Sequence, residues 1–272
     1  MKTIIVPTDF SPAALNAANY AADMAKAIDA DIVLLHVFYV FVGYTEVPPI
    51  IDAAVMRENA ELKMEELKQQ FEHKYGDKLN IRAEVKMGTL INQLESLCKE
   101  VQPYAVVMGS QGASATDYRF FGSQSVHAMR QLTWPVITVA RGAKFSDVKK
   151  IGLACDFENV IESTLIDEIK KLVRDFKAEL HVLSINGKEE PVPGKVFESG
   201  LLLEMLAPLH HEYHFITTEN TVEGLIDFVE KNNIDLLIVM PRRHNLLDKL
   251  IHRSHTKQLV LHSHVPVMSL HE

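Results

Sequence analysis

A chain of 272 residues with 47% hydrophobic and 24% charged side chains has the composition of a globular protein and the length for one large or two ordinary domains. A formal charge of −8 and a pI of about 5.9 exclude a general electrostatic attraction to nucleic acid or anionic membrane, so a charged ligand must be held locally. No apolar run approaches the roughly 18 residues of a membrane span, and MKTIIVPTDF carries too short an apolar stretch for a secretory signal, so a cytoplasmic protein without membrane insertion is expected. Cys98 and Cys155 stand far apart with no C-x-x-C spacing, which argues against a disulfide framework and for thiols in or near a core.

In chain order, Thr3 to Pro7 is a short apolar strand, and Thr8-Asp9-Phe10-Ser11-Pro12 supplies an N-cap serine and a proline at the first helical position. A helix is predicted from Pro12 to Ala30, with Leu15, Ala18, Ala22, Ala25 and Ile28 as a narrow stripe of mostly small residues that lets it lie close on a sheet. Asp31 to Phe38 is almost wholly apolar, as a strand covered on both faces should be, and strand, helix, strand makes a right-handed crossover. Tyr39 to Ile51 is irregular, and a long charged helix then runs from Asp52 to Tyr75, with Gly76 as its C-cap. Ile81 to Lys86 is a third strand, Thr89 to Val101 a helix with Leu90, Leu94 and Leu97 on one face, and Tyr104 to Met108 a fourth strand. With Pro135 to Ala140 as the fifth, this is a complete doubly wound α/β unit.

Between the fourth strand and the helix that follows it, Gly109, Gly112, Gly122 and Ser123 make the pattern G-x2-G-x9-G-[ST]. Glycines at 109 and 112 allow positive φ and close approach of a ligand, and Gly122-Ser123-Gln124-Ser125 puts free N–H groups and hydroxyls at a helix N-terminus, an arrangement suited to phosphate. A surface loop leading to a serine-capped helix would use the same residues. The order strand, glycine loop, helix is what a phosphate cradle requires.

The organisation then repeats. Ile151 to Phe157 mirrors Ile4 to Phe10, with Asp156 at the place of Asp9; Ala178 to Ile185 mirrors Ala30 to Val37; Asp235 to Met240 mirrors Pro103 to Met108; and Val265-Pro266-Val267 mirrors Trp134-Pro135-Val136. A period of about 145 residues is too long for a solenoid and marks a domain duplication. The expected domains are 1–142 and 149–272, joined by a linker around Arg141 to Lys150.

The glycine pattern and the duplication together resemble the nucleotide-binding universal stress proteins, in tandem form. The resemblance implies two doubly wound α/β domains, each a five-stranded parallel sheet of order 3-2-1-4-5 with helices on both faces. It also implies an adenine nucleotide across the C-terminal ends of strands one and four, the crevice that the general rule for open α/β sheets selects. Carried onto this chain, Asp9, with Thr8 before it, corresponds to the acidic residue beside adenine and ribose, and Val37 to the residue whose backbone reads the adenine edge. Met108, Gly109, Ser110 and Gly112 correspond to the ribose and phosphate turn, and Gly122, Ser123, Gln124 and Ser125 to the cradle for the outer phosphates. Apart from the resemblance, Asp9 reads equally as a turn residue capping the next helix and Val37 as core. ATP, with or without Mg, is the implied ligand, and a stress-response signalling module the implied role.

The second half departs from this pattern. Pro241, His244 and Arg253 stand at the places of the three glycines, and only Ser254 and Asp156 persist, so one nucleotide per chain is expected, in the first half. The second half holds ten of the thirteen histidines, among them His210, His211 and His214, His252 and His255, and His262 and His264. His-x-x-His on a helix could supply two metal ligands, but these spacings name no third or fourth, so exposed histidines on a helix and its loops, without structural metal, are expected.

No Walker lysine or G-x-S-x-G elbow is present, no catalytic residue can be named, and Arg119 is the only cation between Gly109 and Ser125, so at most weak ATP hydrolysis is expected. Arg119 is read either as a phosphate contact or as a solvated loop residue. Two other classes of function stand beside the binding module: a slow ATPase or metal-dependent enzyme using the histidine-rich half, and a structural interaction protein with an empty site. Each half ends in an apolar strand that would lie at a sheet edge, so the halves are expected to pack as an intramolecular pseudo-dimer, fifth strand near fifth strand. A homodimer of chains and an unidentified protein partner are compatible with the same reading, and nucleic acid is not expected as a partner.

Overall fold

Lys2–Pro7 forms β1, the strand against which the first half is laid out. The computed structural model describes residues 1–39, 52–110, 123–155, 163–186, 204–218, 220–240, 258–260 and 263–271. Ser11 caps α1 (Pro12–Ile28) by accepting the Ala14 N–H on its Oγ, with Pro12 in the first turn where its missing N–H costs nothing. The helix stops two residues before the predicted end, because Asp29 takes the left-handed conformation with φ of 53° and its N–H closes on the Ala25 carbonyl. β2 therefore already starts at Ala30 and runs Ala30–Phe38. α2 (Ala53–Tyr75) begins at a capping Asp52 and ends at Gly76, as predicted. β3 (Ile81–Met87), α3 (Leu90–Val101), β4 (Ala105–Gly109), α4 (Ser123–Gln131) and β5 (Val136–Val139) complete the first half.

The second half repeats the series with β6 (Lys150–Cys155), α5 (Ser163–Phe176), β7 (Glu179–Asn186), β8 (His211–Thr217), α6 (Thr221–Lys231), β9 (Leu236–Val239) and β10 (Val267–Ser269). All ten strands belong to one sheet of order β3-β2-β1-β4-β5-β10-β9-β6-β7-β8, so each half has the order 3-2-1-4-5. Within a half every pairing is parallel. The join is the one antiparallel pair among the described residues, β5 against β10, with Val267 opposite Thr138, Met268 opposite Ile137 and Ser269 opposite Val136. The expected pairing of the fifth strands is thus realised as a continuous sheet. Two apolar layers cover it, α1, α2 and α5 on one face and α3, α4 and α6 on the other.

α1 is buried more completely than its predicted stripe, with Ala14, Ala17, Tyr20, Ala21 and Met24 also inside. The reason lies in the linker and in the helix α5 behind it. Phe145 of the linker sits edge-on to Tyr20 at 5.3 Å and 6.4 Å from Phe176 of α5, the Asn16 amide donates to the Ala140 and Ala143 carbonyls, and Lys2 pairs with Asp175 of α5 at 2.7 Å. The linker is packed chain, not a tether. Among the described residues no helix is long and apolar enough to cross a membrane.

Two measurements check this arrangement. Met268 is fully buried at the seam, so Met268→Ala should lower stability in urea denaturation by about 2–5 kcal/mol, the usual cost of emptying a core methionine site. Cys98 is buried in α3, and burial first, then the Glu95 carboxylate, pushes its thiol up to about 12. It should resist iodoacetamide at pH 8 in the native protein and react once the chain is unfolded, as peptide mapping would reveal.

Candidate functional site

β1 and β4 lie side by side, and from their C-terminal ends the chain departs in opposite directions, β1 towards β2 and β4 towards β5. This is the switch point of the first half, the place where open α/β sheets generally take up ligands. The turn that leaves β1 is held by its own side chains. Thr8 donates its N–H to the Leu35 carbonyl at 2.8 Å and accepts the Phe10 N–H on Oγ1 at 3.0 Å, while Asp9 Oδ1 accepts the Ser11 N–H at 3.0 Å. Asp9 is therefore both an exposed carboxylate at the end of β1 and the residue that shapes the entry to α1, so the two readings of it are compatible. The helix cap itself is Ser11.

These bonds hold Phe10 at a φ of 63°, in the left-handed region, which costs a bulky residue on the order of 1–3 kcal/mol. Its ring lies 4.7 Å from that of His36, and Lys63 of α2 reaches over it at 5.7 Å. His36 Nδ1 stands 2.8 Å from the Thr8 carbonyl, and because a carbonyl only accepts, Nδ1 carries the hydrogen. Phe10, His36 and Lys63 were not among the predicted site residues. They come from three separate elements, and no local spacing announces them.

Val37 is half-buried near the end of β2. Successive peptide groups of a strand face alternate neighbours: the Leu35 carbonyl takes a bond from Thr8 beside β1, and the Phe38 carbonyl one from Gly88 beside β3. Val37 shares the parity of Leu35, so its N–H and C=O face the β1 side, at a level beyond Pro7 where β1 has ended.

At the end of β4, Met108 is buried opposite Thr138, and Ser110, also buried, donates its N–H to the Val139 carbonyl at 2.9 Å. Gly109 does not use positive φ, contrary to expectation. A Cβ there would meet the Ala13 carbonyl oxygen at 2.8 Å, so what glycine provides is the close approach of the first turn of α1 to β4. Ser123 is the first residue of α4, followed by exposed Gln124 and buried Ser125. Val126, Ala128 and Met129 anchor that helix in the core, and as the crossover from β4 to β5 it starts at the same sheet edge as the other candidates. Gly112, Gly122 and Arg119 lie outside the described residues, as do Asp156, Pro241, His244, Arg253 and Ser254 of the second half.

The histidine-rich segment departs from the helical reading. His211 and His214 belong to strand β8, where a spacing of three puts them on opposite faces, and His211 is turned to the Leu209 carbonyl through Nδ1 at 2.8 Å. They cannot ligate one ion as a helical pair would. His252, His255 and His262 lie outside the described residues.

A model of the universal stress protein family matches the sequence twice, over residues 1–140 and 148–271. A universal stress protein of Methanocaldococcus jannaschii is 27% identical over 146 residues, covering 53% of this chain and 84% of that protein. Among solved structures, a universal stress protein from Archaeoglobus fulgidus gives a TM-score of 0.75 at 18% identity, covering 99% of this chain and 98% of that one. A Pseudomonas aeruginosa protein of unknown function gives 0.61 at 14% identity, covering 100% and 92%. At these identities the structural likeness speaks for the fold alone.

Gly109 offers a test of how the crevice is built. Gly109→Ala forces a Cβ against backbone, so it should destabilise the protein by about 1–3 kcal/mol in chemical denaturation, in the range of overpacked sites. An unchanged midpoint would mean that α1 and β4 are not in close contact there.

Proposed function

The chain belongs to the universal stress protein family, and from that premise we propose that it is an ATP-binding signalling module whose first half holds one adenine nucleotide. The reading is carried by the pattern Gly109-x2-Gly112-x9-Gly122-Ser123, which starts where β4 ends beside β1. Three further features support it: the exposed Asp9 at the end of β1, the backbone of Val37 facing past that end, and α4 beginning with Ser123 at the same edge. In this reading Thr8 and Asp9 meet the nucleoside, Val37 reads the base edge, and Met108, Gly109, Ser110 and Gly112 follow the ribose and first phosphate. Gly122, Ser123, Gln124 and Ser125 then take the outer phosphates through N–H groups and hydroxyls. Mg would be bound only through the phosphates.

The second half, with Pro241, His244 and Arg253 in place of the glycines, binds no nucleotide and serves as the partner that completes the sheet. With no catalytic base named beside the cradle, occupancy rather than turnover is the signal, read by a protein partner or by a second copy of the chain. Domains 1–142 and 149–272 are the units in which we place these roles.

Mass spectrometry of the denatured purified protein should release an adenine nucleotide, and calorimetry on the stripped protein should give one ATP site per chain. Gly122→Val should block that binding, and Ser123→Ala weaken it by about 0.5–3 kcal/mol, the range for hydrogen bonds to neutral and charged groups. Wild-type ATP affinity in both variants would sink the assignment.

A further inference from the structure

In the second half, period-two alternation and strand register gather three ligand-type side chains that sequence spacing keeps apart. His181 of β7 lies opposite Glu212 of β8, and Leu183 opposite His214, so Glu212 and His214 share the sheet face of His181, the face covered by α6. His181 Nδ1 is 2.9 Å from His214 Nε2, and Glu212 Oε2 is 3.7 Å from the former and 3.6 Å from the latter. A triangle with these sides has a circumscribed radius of about 2.0 Å, which is the bond length of zinc to imidazole nitrogen and to carboxylate oxygen.

We propose that His181, Glu212 and His214 form a binding site for one divalent transition ion of the zinc class, with three protein ligands and an open fourth position towards solvent. The donor set is two imidazoles and a carboxylate, which suits zinc and its neighbours and disfavours magnesium, an ion that demands oxygen ligands. An ion above the plane of the three atoms needs the two nitrogens to part by only a few tenths of an ångström, since a tetrahedral edge for bonds of this length is roughly 3.3 Å.

Four features of the structure support the site. The ligands sit on paired strands, so their backbone is fixed by seven register pairs rather than by a loop. The two rings are stacked with centroids 5.2 Å apart, and Phe228 of α6 lies 4.7 Å from the His214 ring, which sets the orientation of both. His181 is 3% exposed, and its Nε2 is a buried nitrogen with no hydrogen-bond partner. Glu179 Oε2 stands 3.9 Å from that nitrogen. In the ion-bound form Nδ1 of His181 must be bare, so its hydrogen sits on Nε2, and a small turn of the exposed Glu179 side chain completes a carboxylate–histidine–metal arrangement.

Burial, and then the neighbouring His214, hold His181 below the usual imidazole range; Lys150 acts in the same direction, while Glu212 and Glu179 oppose it. The site shares no residue with the nucleotide crevice, and its standing does not depend on that reading.

The test is zinc titration of the full-length protein against a chromophoric chelator, with Co2+ as a spectroscopic stand-in. Wild type should take up one zinc per chain at this site, give the visible absorption of a tetrahedral cobalt centre, and show no competition from magnesium. Glu212→Gln alters a side chain that is 70% exposed and will not disturb folding; it should lose that zinc together with the cobalt band. His214→Gln should do the same, while Glu179→Gln should weaken binding by about 10–100-fold, as loss of an outer-shell carboxylate does. His211→Ala, on the opposite face, should change nothing. Absence of zinc uptake by the wild type, or undiminished uptake and an unchanged cobalt spectrum in both Glu212→Gln and His214→Gln, would overturn the proposal.

Discussion

Three residue pairs hold the two halves of this protein in one sheet. β5 and β10 are each the last strand of a five-stranded parallel unit, and each would leave a row of unpaired N–H and C=O groups on an apolar strand. Placed antiparallel, each covers the other, and Thr138 adds a side-chain bond to the Val267 carbonyl at 3.2 Å across the join. What remains as edge is β3 and β8, half-buried strands with exposed charged residues such as Arg82 and Glu212. The same pairing brings α1 beside α5, which is why a helix of alanines can be buried almost all round and why the linker is clamped between Tyr20 and Phe176.

The crevice depends on that burial. α1 starts close over the end of β4, with the Ala13 carbonyl oxygen 2.8 Å from where a Cβ on Gly109 would stand, so the Thr8 to Ser11 turn must deliver the helix tightly against the sheet. It meets the constraint by putting Phe10, not glycine, in the left-handed region, and holds it there with the Thr8 and Asp9 side chains and the His36 ring. Strain of this kind is stored where surrounding structure over-determines it. For the nucleotide proposed above, a turn already held by its own side chains would lower the ordering cost of binding.

Much of the fold was legible because buried parallel strands are near-continuous apolar runs and the duplication presents each of them twice. Ile4 to Val6 and Ile151 to Leu153 can be aligned by eye, and the apolar ends at Val136 and Val267 pointed to the seam. The end of α1 was less legible, since nothing about Asp29 in sequence requires a left-handed cap. At Gly109 a loop read in one dimension suggests freedom of φ, whereas the need for glycine comes from a helix ninety-six residues earlier in the chain. His181, Glu212 and His214 could not be assembled at all, because what joins them is the register of two strands. Reading His211 and His214 as a helical pair used a period of 3.6 where the chain has a period of 2, and that exchange hid the ligand set on one face.

The second half lacks the glycines and yet keeps every strand, and the reason follows from where its burial is needed. Completing the edge of β5 requires β10, and β10 requires β9 and β6 behind it, so Leu237, Ile238 and Met268 are core to the whole molecule. β7 and β8 lie at the far end of the sheet from the first half. Chemistry placed there is insulated from the first half by distance. Five strand intervals separate β4 from β7, about 24 Å at the usual spacing, so an ion at His181 and a nucleotide beside β4 cannot touch. Among the described residues the halves meet at the three-pair seam, at the α1–α5 contact on one face and, on the other, where α4 lies against β10 and His271 Nε2 meets the Met129 carbonyl. In a tandem chain built this way the two proposed sites would communicate only through that packed boundary, which is where coupling between them would be gained or lost.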